Sequence, residues 1–321
     1  MTHAIVARQA GGPEVLELSP IDRPVPGPGQ LLIKVAAVGV NFIDTYKRSG
    51  VYKVDYPFIP GSEASGTVEE TGDGVTGFSA GDRVATAEGV ACYAGYALVD
   101  ADKALPVPHG VDDFTAAALP LQGITAHYLI NSTFEVESGQ TVLLHAGAGG
   151  VGLLLIQLLK AKGARVITTV STDEKEALAR GAGADYVLRY EGFGAKVREL
   201  TDGEGAHVVY DGVGKDTFDD SLAALRVRGT LVLFGAASGP VPAVDPQRLN
   251  SGGSLYLTRP TIVHYLRDAK ERRWRSDELF AAVADGSLKV RIGAKYDLAD
   301  AASAHTDLER RRTTGKVLLV P

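Results

Sequence analysis

Residues Thr141 to Lys175 read TVLLHAGAGGVGLLLIQLLKAKGARVITTVSTDEK. Thr141 to Ala146 have the composition of a buried strand. Val151 to Lys162 continue as an apolar helix, and Arg165 to Val170 form a second strand. Between strand and helix, Gly147, Gly149 and Gly152 satisfy G-x-G-x-x-G. The chain holds 38 glycines, so the spacing alone is a weak signal. The setting is what makes it informative, because the glycines directly follow a strand and directly open a helix. Glycine lets the backbone turn tightly and approach a pyrophosphate closely, and a helix N-terminus presents free N–H groups to an anion. The segment therefore predicts dinucleotide binding, the alternative being a tight turn in an α/β protein without a nucleotide.

Downstream, apolar strands recur at Asp185 to Leu188, His207 to Asp211, Gly229 to Phe234 and Ser254 to Thr258. Helical patterns fall between them near Asp173 to Arg180, Phe193 to Thr201 and Thr217 to Leu225. Six strands with helical crossovers imply a doubly wound parallel sheet, a Rossmann arrangement. Upstream, residues 1–120 are rich in short strands and turns, with PVPGPG (Pro24 to Gly29) and GDGVTG (Gly72 to Gly77) as turn signals. Phe114 to Ala118 and Gly123 to Asn131 look helical. After Pro260 come two expected helices, Ile262 to Ala269 and Ser276 to Ala284. A β-like tail follows, with Lys289 to Tyr296, a helix at Ala299 to Glu309, and Lys316 to Val320. The expected division is a Rossmann domain at 123–260, inserted into a β-rich domain made of 1–122 and 261–321.

The end of the second strand speaks to the choice of nucleotide. A carboxylate there would bind the ribose hydroxyls of NAD. This strand ends Thr168-Thr169-Val170-Ser171, so nothing repels a 2′-phosphate. Ser171 can donate a hydrogen bond and Lys175 can supply a positive charge. Tyr190, ending the third strand, could reach the phosphate or the adenine. NADPH is the expected cofactor. Asp173 and Glu174 flank Lys175 and oppose this. Lys175 reads equally as an ordinary solvated helix residue, and Tyr190 as a rim aromatic.

Composition removes several other functions. The net charge of −6 gives no electrostatic footprint for nucleic acid or anionic membrane. No apolar run reaches the roughly 18 residues of a membrane span. The opening MTHAIVARQAGGPEV has no basic segment followed by an apolar one, so no signal peptide is expected and the cytoplasm is the default location. A single cysteine, Cys92, rules out an internal disulfide and a multi-cysteine zinc cluster. His3, His109, His127, His145, His207, His264 and His305 are scattered, so no metal site is expected. His145 closes a core strand and reads as a satisfied buried histidine. No Ser–His–Asp or Cys–His set has convincing local context, which leaves hydride transfer from a nicotinamide.

The segment GVNFIDTYKRSGVY (Gly39 to Tyr52) follows a strand and is dense in polar and aromatic residues. Asn41, Asp44, Tyr46 and Tyr52 are candidates to line a cleft. A phenol can donate to a carbonyl oxygen as charge develops there, although Tyr46 and Tyr52 also fit as packing aromatics.

Taken together, GGPEVLEL (Gly11 to Leu18), GVNFIDTYKRSGVY, PGSEASGTVEETG (Pro60 to Gly72), AGDRV (Ala80 to Val84), LQGITAHYL (Leu121 to Leu129), HAGAGGVG (His145 to Gly152), YDGVG (Tyr210 to Gly214), FGAASG (Phe234 to Gly239), GSLYLTRP (Gly253 to Pro260) and TTGKVLL (Thr313 to Leu319) resemble the zinc-free quinone oxidoreductases. These are the zeta-crystallin-like branch of the medium-chain dehydrogenases/reductases. Zinc-dependent relatives carry cysteine where this chain has Asn41, and histidine where it has Ser62. The resemblance implies a GroES-like catalytic domain beside the Rossmann domain, and a homodimer whose sheets continue edge to edge at GGSLYLTRP. It implies Asn41, Tyr46, Tyr52 and Gln122 around the nicotinamide and quinone, and Thr125 on the nicotinamide side. Gly149, Gly150, Val151 and Gly152 would lie at the pyrophosphate, and Ser171, Lys175 and Tyr190 at the 2′-phosphate. Phe234, Ala236 and Ser238 would flank the nicotinamide ribose and ring, with Arg259 closing the cleft.

The expected activity is metal-independent transfer of hydride, or of electrons in steps, from NADPH to a quinone. Quinones become aromatic on reduction, so a strong proton donor is not demanded. The competing enzyme is an NADPH-dependent 2-alkenal, enone or enoyl-thioester reductase, which needs a proton at the α-carbon. A nucleotide-binding structural or RNA-binding protein is the non-enzymatic alternative, and the acidic balance argues against RNA.

Overall fold

The computed structural model describes residues 1–321, which divide into two compact units, Met1–Ile124 with Asp268–Pro321, and Thr125–Arg267. The first unit opens with a hairpin of β1 (Thr2–Ala7) and β2 (Leu16–Ile21). It continues with β3 (Gln30–Val40), helix α1 (Phe42–Arg48), β4 (Ala64–Thr71), β5 (Arg83–Thr86), β6 (Tyr96–Asp100) and β7 (Leu105–Pro106). Helices α2 (Asp113–Ala118) and α3 (Pro120–Tyr128) come next.

The second unit alternates strand and helix: β8 (Thr141–Leu144), α4 (Gly150–Ala161), β9 (Arg165–Thr169), α5 (Asp173–Gly181), β10 (Tyr186–Leu188), α6 (Phe193–Leu200) and β11 (Ala206–Asp211). It ends with α7 (Phe218–Ala223), β12 (Leu225–Leu233), α8 (Gln247–Ser251) and β13 (Tyr256–Thr258). The chain then returns to the first unit through α9 (Ala269–Ala284), β14 (Ile292–Asp297), α10 (Ala301–Glu309) and β15 (Lys316–Val320).

In the second unit the six strands run parallel in the order β10-β9-β8-β11-β12-β13. The central strands are buried along nearly their whole length rather than on alternate residues, as in a parallel sheet covered on both faces. All four residues of β8 are buried. Leu143, Ile167, Val209 and Leu231 lie on neighbouring strands and form a core with Phe193, Val197 and Leu222 from the helices.

In the first unit β3 is the hub of a seven-stranded sheet. It pairs with β4 over most of its length, with β6 at its start and with β15 at its end. The inward side chains Leu31, Ile33, Val35 and Val40 meet Val68, Val84, Val99, Val317 and Leu319.

Two expected helices differ from the sequence reading. The expected helix Ile262 to Ala269 is a short 3-10 turn, Ile262–Tyr265. The expected helix Ser276 to Ala284 is the second half of the sixteen-residue α9. Asp268 ends the extended stretch by accepting the Glu271 N–H at 2.8 Å, an N-cap that starts the helix before its amphipathic part. The two-residue β7 is too short to carry a period and is defined by its pairing with β5.

The glycine turn is sterically specified. A Cβ on Gly152 would meet the Ala146 carbonyl oxygen and come within 2.9 Å of the Gly147 Cα, while one on Gly147 would lie 2.8 Å from Thr168 Cγ2. Gly152→Ala is expected to destabilise the second unit by about 1–3 kcal/mol through overpacking against rigid backbone. Urea denaturation checks this, and unchanged stability would show that the turn has room to yield.

Candidate active site

Asn41 stands where β3 gives way to α1, and its backbone N–H donates to Asp44 Oδ2 at 2.9 Å, opening the helix. The side chain is 4% exposed. Its amide nitrogen donates to Glu63 Oε2 (2.7 Å) and to the Gly39 carbonyl (3.1 Å), and its oxygen accepts from Lys316 Nζ (2.9 Å). Both amide hydrogens are thereby used, so Asn41 has no donor left for a substrate oxygen. Lys316 Nζ also donates to Glu63 Oε2 in a fully buried ion pair. The other carboxylate oxygen, Glu63 Oε1, accepts the Leu121 N–H at 2.7 Å. One carboxylate therefore joins the start of α1, the start of β15 and the turn that presents Gln122, a partly buried residue.

Tyr46 projects from α1 with its ring 6.3 Å from Phe42 and 5.5 Å from Tyr52, the latter edge-on. Tyr52 donates its backbone N–H to the Tyr46 carbonyl at 3.0 Å and is 42% exposed. Its phenol is thus an open donor on the surface of the first unit. Asp44 is not a cleft residue; it is fully buried.

Behind Asp44 runs a row of hydrogen bonds whose direction is fixed by chemistry. Arg48 can only donate, so His305 Nδ1 accepts from its Nη1 at 3.1 Å. The histidine proton must then sit on Nε2, which donates to the Tyr93 oxygen at 2.9 Å. Tyr93 O–H donates in turn to Asp44 Oδ2 at 3.1 Å. Arg48 is held at the far end by Glu309. Burial, and secondarily the Arg48 charge, press His305 down to about 3. Burial pushes Asp44 up to about 6 against the pull of the Asn41 N–H, Lys47, Tyr93 and Lys316. Asp44 Oδ1 has no hydrogen-bond partner.

In the second unit, the glycine turn sits at the C-terminal end of β8, where ligands of parallel sheets bind. Leu153 N–H finds the Gly149 carbonyl at 2.9 Å. The earlier N–H groups of α4, on Gly150, Val151 and Gly152, lie in the first turn and have no partner within the helix. A Cβ on Gly149 would approach only the Ala146 carbonyl oxygen, at 3.2 Å, so that face of the turn is open. Thr125 is buried on α3.

Ser171 is exposed just past β9, and Thr172 caps α5 by accepting the Lys175 N–H. Asp173 does not act on Lys175 alone. Its carboxylate is ion-paired with Arg189 at 2.5 Å, and Arg189 also reaches Glu176 at 2.9 Å. Next to Arg189, the Tyr190 ring lies 6.2 Å from His145 and nearly parallel to it.

His145 is buried and satisfied. Ser221 O–H donates to Asp211 Oδ2 at 3.1 Å, so the 2.8 Å contact with His145 Nε2 has the histidine donating. Nδ1 accepts from Thr169 Oγ1 at 2.8 Å. His145, Ser221 and Asp211 do meet, but the serine lies between the other two and is sealed from solvent, so it is no nucleophile. Asp211 also accepts from the Val213 and Gly214 N–H groups and from Thr217, fixing the loop after β11. The loop after β12 docks on it. Phe234 N–H donates to the Asp211 carbonyl, and Ser238 Oγ bridges the Val213 carbonyl and the Asp216 N–H. Ala236 lies between them, and Arg259 Nη1 donates to the Leu233 carbonyl at 2.9 Å.

Residues 27–109 match the alcohol dehydrogenase GroES-like domain, and residues 150–280 match the family described as zinc-binding dehydrogenase. A quinone oxidoreductase of Pseudomonas aeruginosa is 45% identical over 97% of both chains. A 2-haloacrylate reductase of a Burkholderia species is 40% identical over 100% of this chain and 99% of its own. Among solved structures, a mycobacterial protein complexed with NADPH is 54% identical, with a TM-score of 0.98 over the whole of both chains. The chain belongs to the quinone oxidoreductase branch of the medium-chain dehydrogenase/reductase superfamily.

Within this quinone oxidoreductase fold, no three His, Cys, Asp or Glu side chains come together in a group that could hold a metal ion. Beside Asn41 stand an ammonium and a carboxylate that satisfy each other. Reading the sequence did not single out Lys316, Arg189, Tyr93 or His305 for a role. Lys316 carries a faint signal, a lysine heading the otherwise apolar strand Val-Leu-Leu-Val. The others become visible only when distant strands meet.

His305 and Asp44 make opposite demands on pH. Between pH 6.5 and 3 the unfolded chain binds a proton at His305 that the folded protein refuses, so stability falls as pH drops through that window. Between pH 3.8 and 6 the folded protein keeps a proton on Asp44 that the unfolded chain has lost, so that contribution falls as pH rises. His305→Gln should remove the first effect and make the loss of stability between pH 6 and 4.5 shallower without abolishing it, because burial holds His145 and His207 down with the same sign. Urea titrations of both proteins across this range test it; parallel pH slopes would mean that His305 is not held neutral.

Proposed function

We propose that this protein is an NADPH-dependent, metal-independent quinone oxidoreductase. The observation that carries the cofactor reading is the end of β9. It offers Ser171 and Lys175 and no carboxylate, and the nearest acid, Asp173, is occupied by Arg189. Arg189 is shared between Asp173 and Glu176, so it offsets the acids beside Lys175. The full-length similarity to a quinone oxidoreductase supports the quinone as acceptor.

In this reading Gly149, Gly150, Val151 and Gly152 hold the pyrophosphate with the open N–H groups of α4. Ser171, Lys175 and Tyr190 hold the adenosine end, while Thr125, Phe234, Ala236, Ser238 and Arg259 frame the nicotinamide. The bound cofactor supplies a hydride, which a quinone takes up with one proton to become an aromatic hydroquinone. The Tyr46 and Tyr52 phenols orient the quinone carbonyl and donate to the oxygen that gains charge. Asn41 has its donors committed and contributes by fixing the wall of the site together with Gln122. The proton reaches the product from the exposed side, where Tyr52 meets water.

The Burkholderia relative supports a second reading, in which the acceptor is an activated alkene and Tyr46 or Tyr52 protonates the α-carbon. Steady-state rates on benzoquinone, naphthoquinone, a 2-alkenal and 2-chloroacrylate separate the two. Faster turnover of the alkenes than of both quinones would replace the first reading by the second.

The three-residue strand β13 is an open sheet edge, and its Tyr256 is 61% exposed. A homodimer formed there, in the cytoplasm, completes the proposal. Light scattering should then give twice the 33.7 kDa chain mass. No helix is long and apolar enough to cross a membrane. For the cofactor, Lys175→Ala should weaken NADPH binding by about tenfold while leaving NADH nearly unchanged, as expected for loss of one charge-assisted contact worth ~1.5 kcal/mol. Fluorescence titration reads both; equal losses would remove Lys175 from the phosphate site.

A further inference from the structure

We propose that Lys316 and Glu63 are positioning residues of the reduction, holding the Asn41 amide and the Leu121–Gln122 turn fixed relative to each other. This rests on the reading of Asn41 and Gln122 as quinone-side residues.

The geometry is that of a clamp. Glu63 is fully buried and Lys316 is 1% exposed, with 252 intervening residues between them in the chain. Glu63 Oε2 takes the Lys316 ammonium and the Asn41 amide nitrogen, and Glu63 Oε1 takes the Leu121 N–H. Lys316 returns to Asn41 through its oxygen. The orientation of the Asn41 amide is therefore set by charge. Turned over, it would point its hydrogens at an ammonium and its oxygen at a carboxylate, two repulsions in place of two attractions. Asn41 also starts α1 through Asp44, so the same clamp fixes the helix that carries Tyr46. A group that holds two substrate-side segments without reaching the substrate itself acts on placement, and small misplacements of reacting groups are costly in rate.

The test uses the full-length enzyme with NADPH and benzoquinone. Lys316→Met combined with Glu63→Gln removes both charges while keeping volume. This double variant should bind NADPH within about twofold of the unaltered enzyme and lose at least ~10-fold in kcat. Asn41→Ala should lose a similar factor, and adding it to the double variant should cost little more, because both changes disable one unit. Lys316→Arg, which keeps the charge, should recover part of kcat with an unchanged KM for NADPH. A general structural defect would lower NADPH binding as well and would give additive losses.

Quinone turnover by the double variant within twofold of the unaltered enzyme, or additive losses, would overturn the positioning role. Should the double variant not fold, Asn41→Ala decides alone: a ~10-fold loss of kcat with unchanged NADPH binding supports the clamp, and full kcat overturns it. Absence of quinone turnover by the unaltered enzyme would instead overturn the choice of acceptor, with the alkene substrates then taking its place in the same variants.

Discussion

Glu63 carries its charge where no water reaches it, and Lys316 answers it from the far end of the chain. Taking two such ions out of water costs several kcal/mol each, which their attraction offsets only with good geometry and further hydrogen bonds. Here the bonds to Asn41 and Leu121 complete the set. The pair is therefore weak evidence for net stability and strong evidence for a fixed arrangement. Loss of one partner alone would leave an uncompensated buried charge, at a cost of about 3–5 kcal/mol.

The second unit repeats this device in a neutral setting. Asp211 is fully buried and accepts from two backbone N–H groups and two hydroxyls. It thereby fixes the loop after β11, on which the loop after β12 docks through Phe234 and Ser238. Each unit thus organises its functional loops around one saturated carboxylate rather than around apolar packing alone. Loops cannot supply a dense core of their own, so a polar hub with directional bonds gives them the precision that packing gives to the sheets.

The strand–glycine–helix unit and the six parallel strands were legible because their signals are local. Period, glycine spacing and strand ends are read within some 35 residues. The absence of a carboxylate at Ser171 was visible in the same way. Arg189 was hidden because its importance lies in pairing with Asp173, sixteen residues away on another element. Lys316, Glu63, Tyr93 and His305 were hidden more deeply, since only the pairing of β15 with β3 and the packing of α10 bring them together. Asn41 was found as a residue while its partners were not, because sequence reports a side chain's capacity and not which of its bonds are already made. The start of α9 was lost for a simpler reason: the cap Asp268-x-x-Glu271 precedes a polar first half that carries no apolar period.

The row from Arg48 through His305 and Tyr93 to Asp44 has a direction, and a guanidinium stands at its head. A guanidinium does not give up a proton in a protein. The row can orient Asp44 but cannot supply it with a proton from the guanidinium. Asp44 Oδ1, which has no partner, takes no part in the row. The row thus works as a brace, fixing where Asp44 points, and not as a wire for protons.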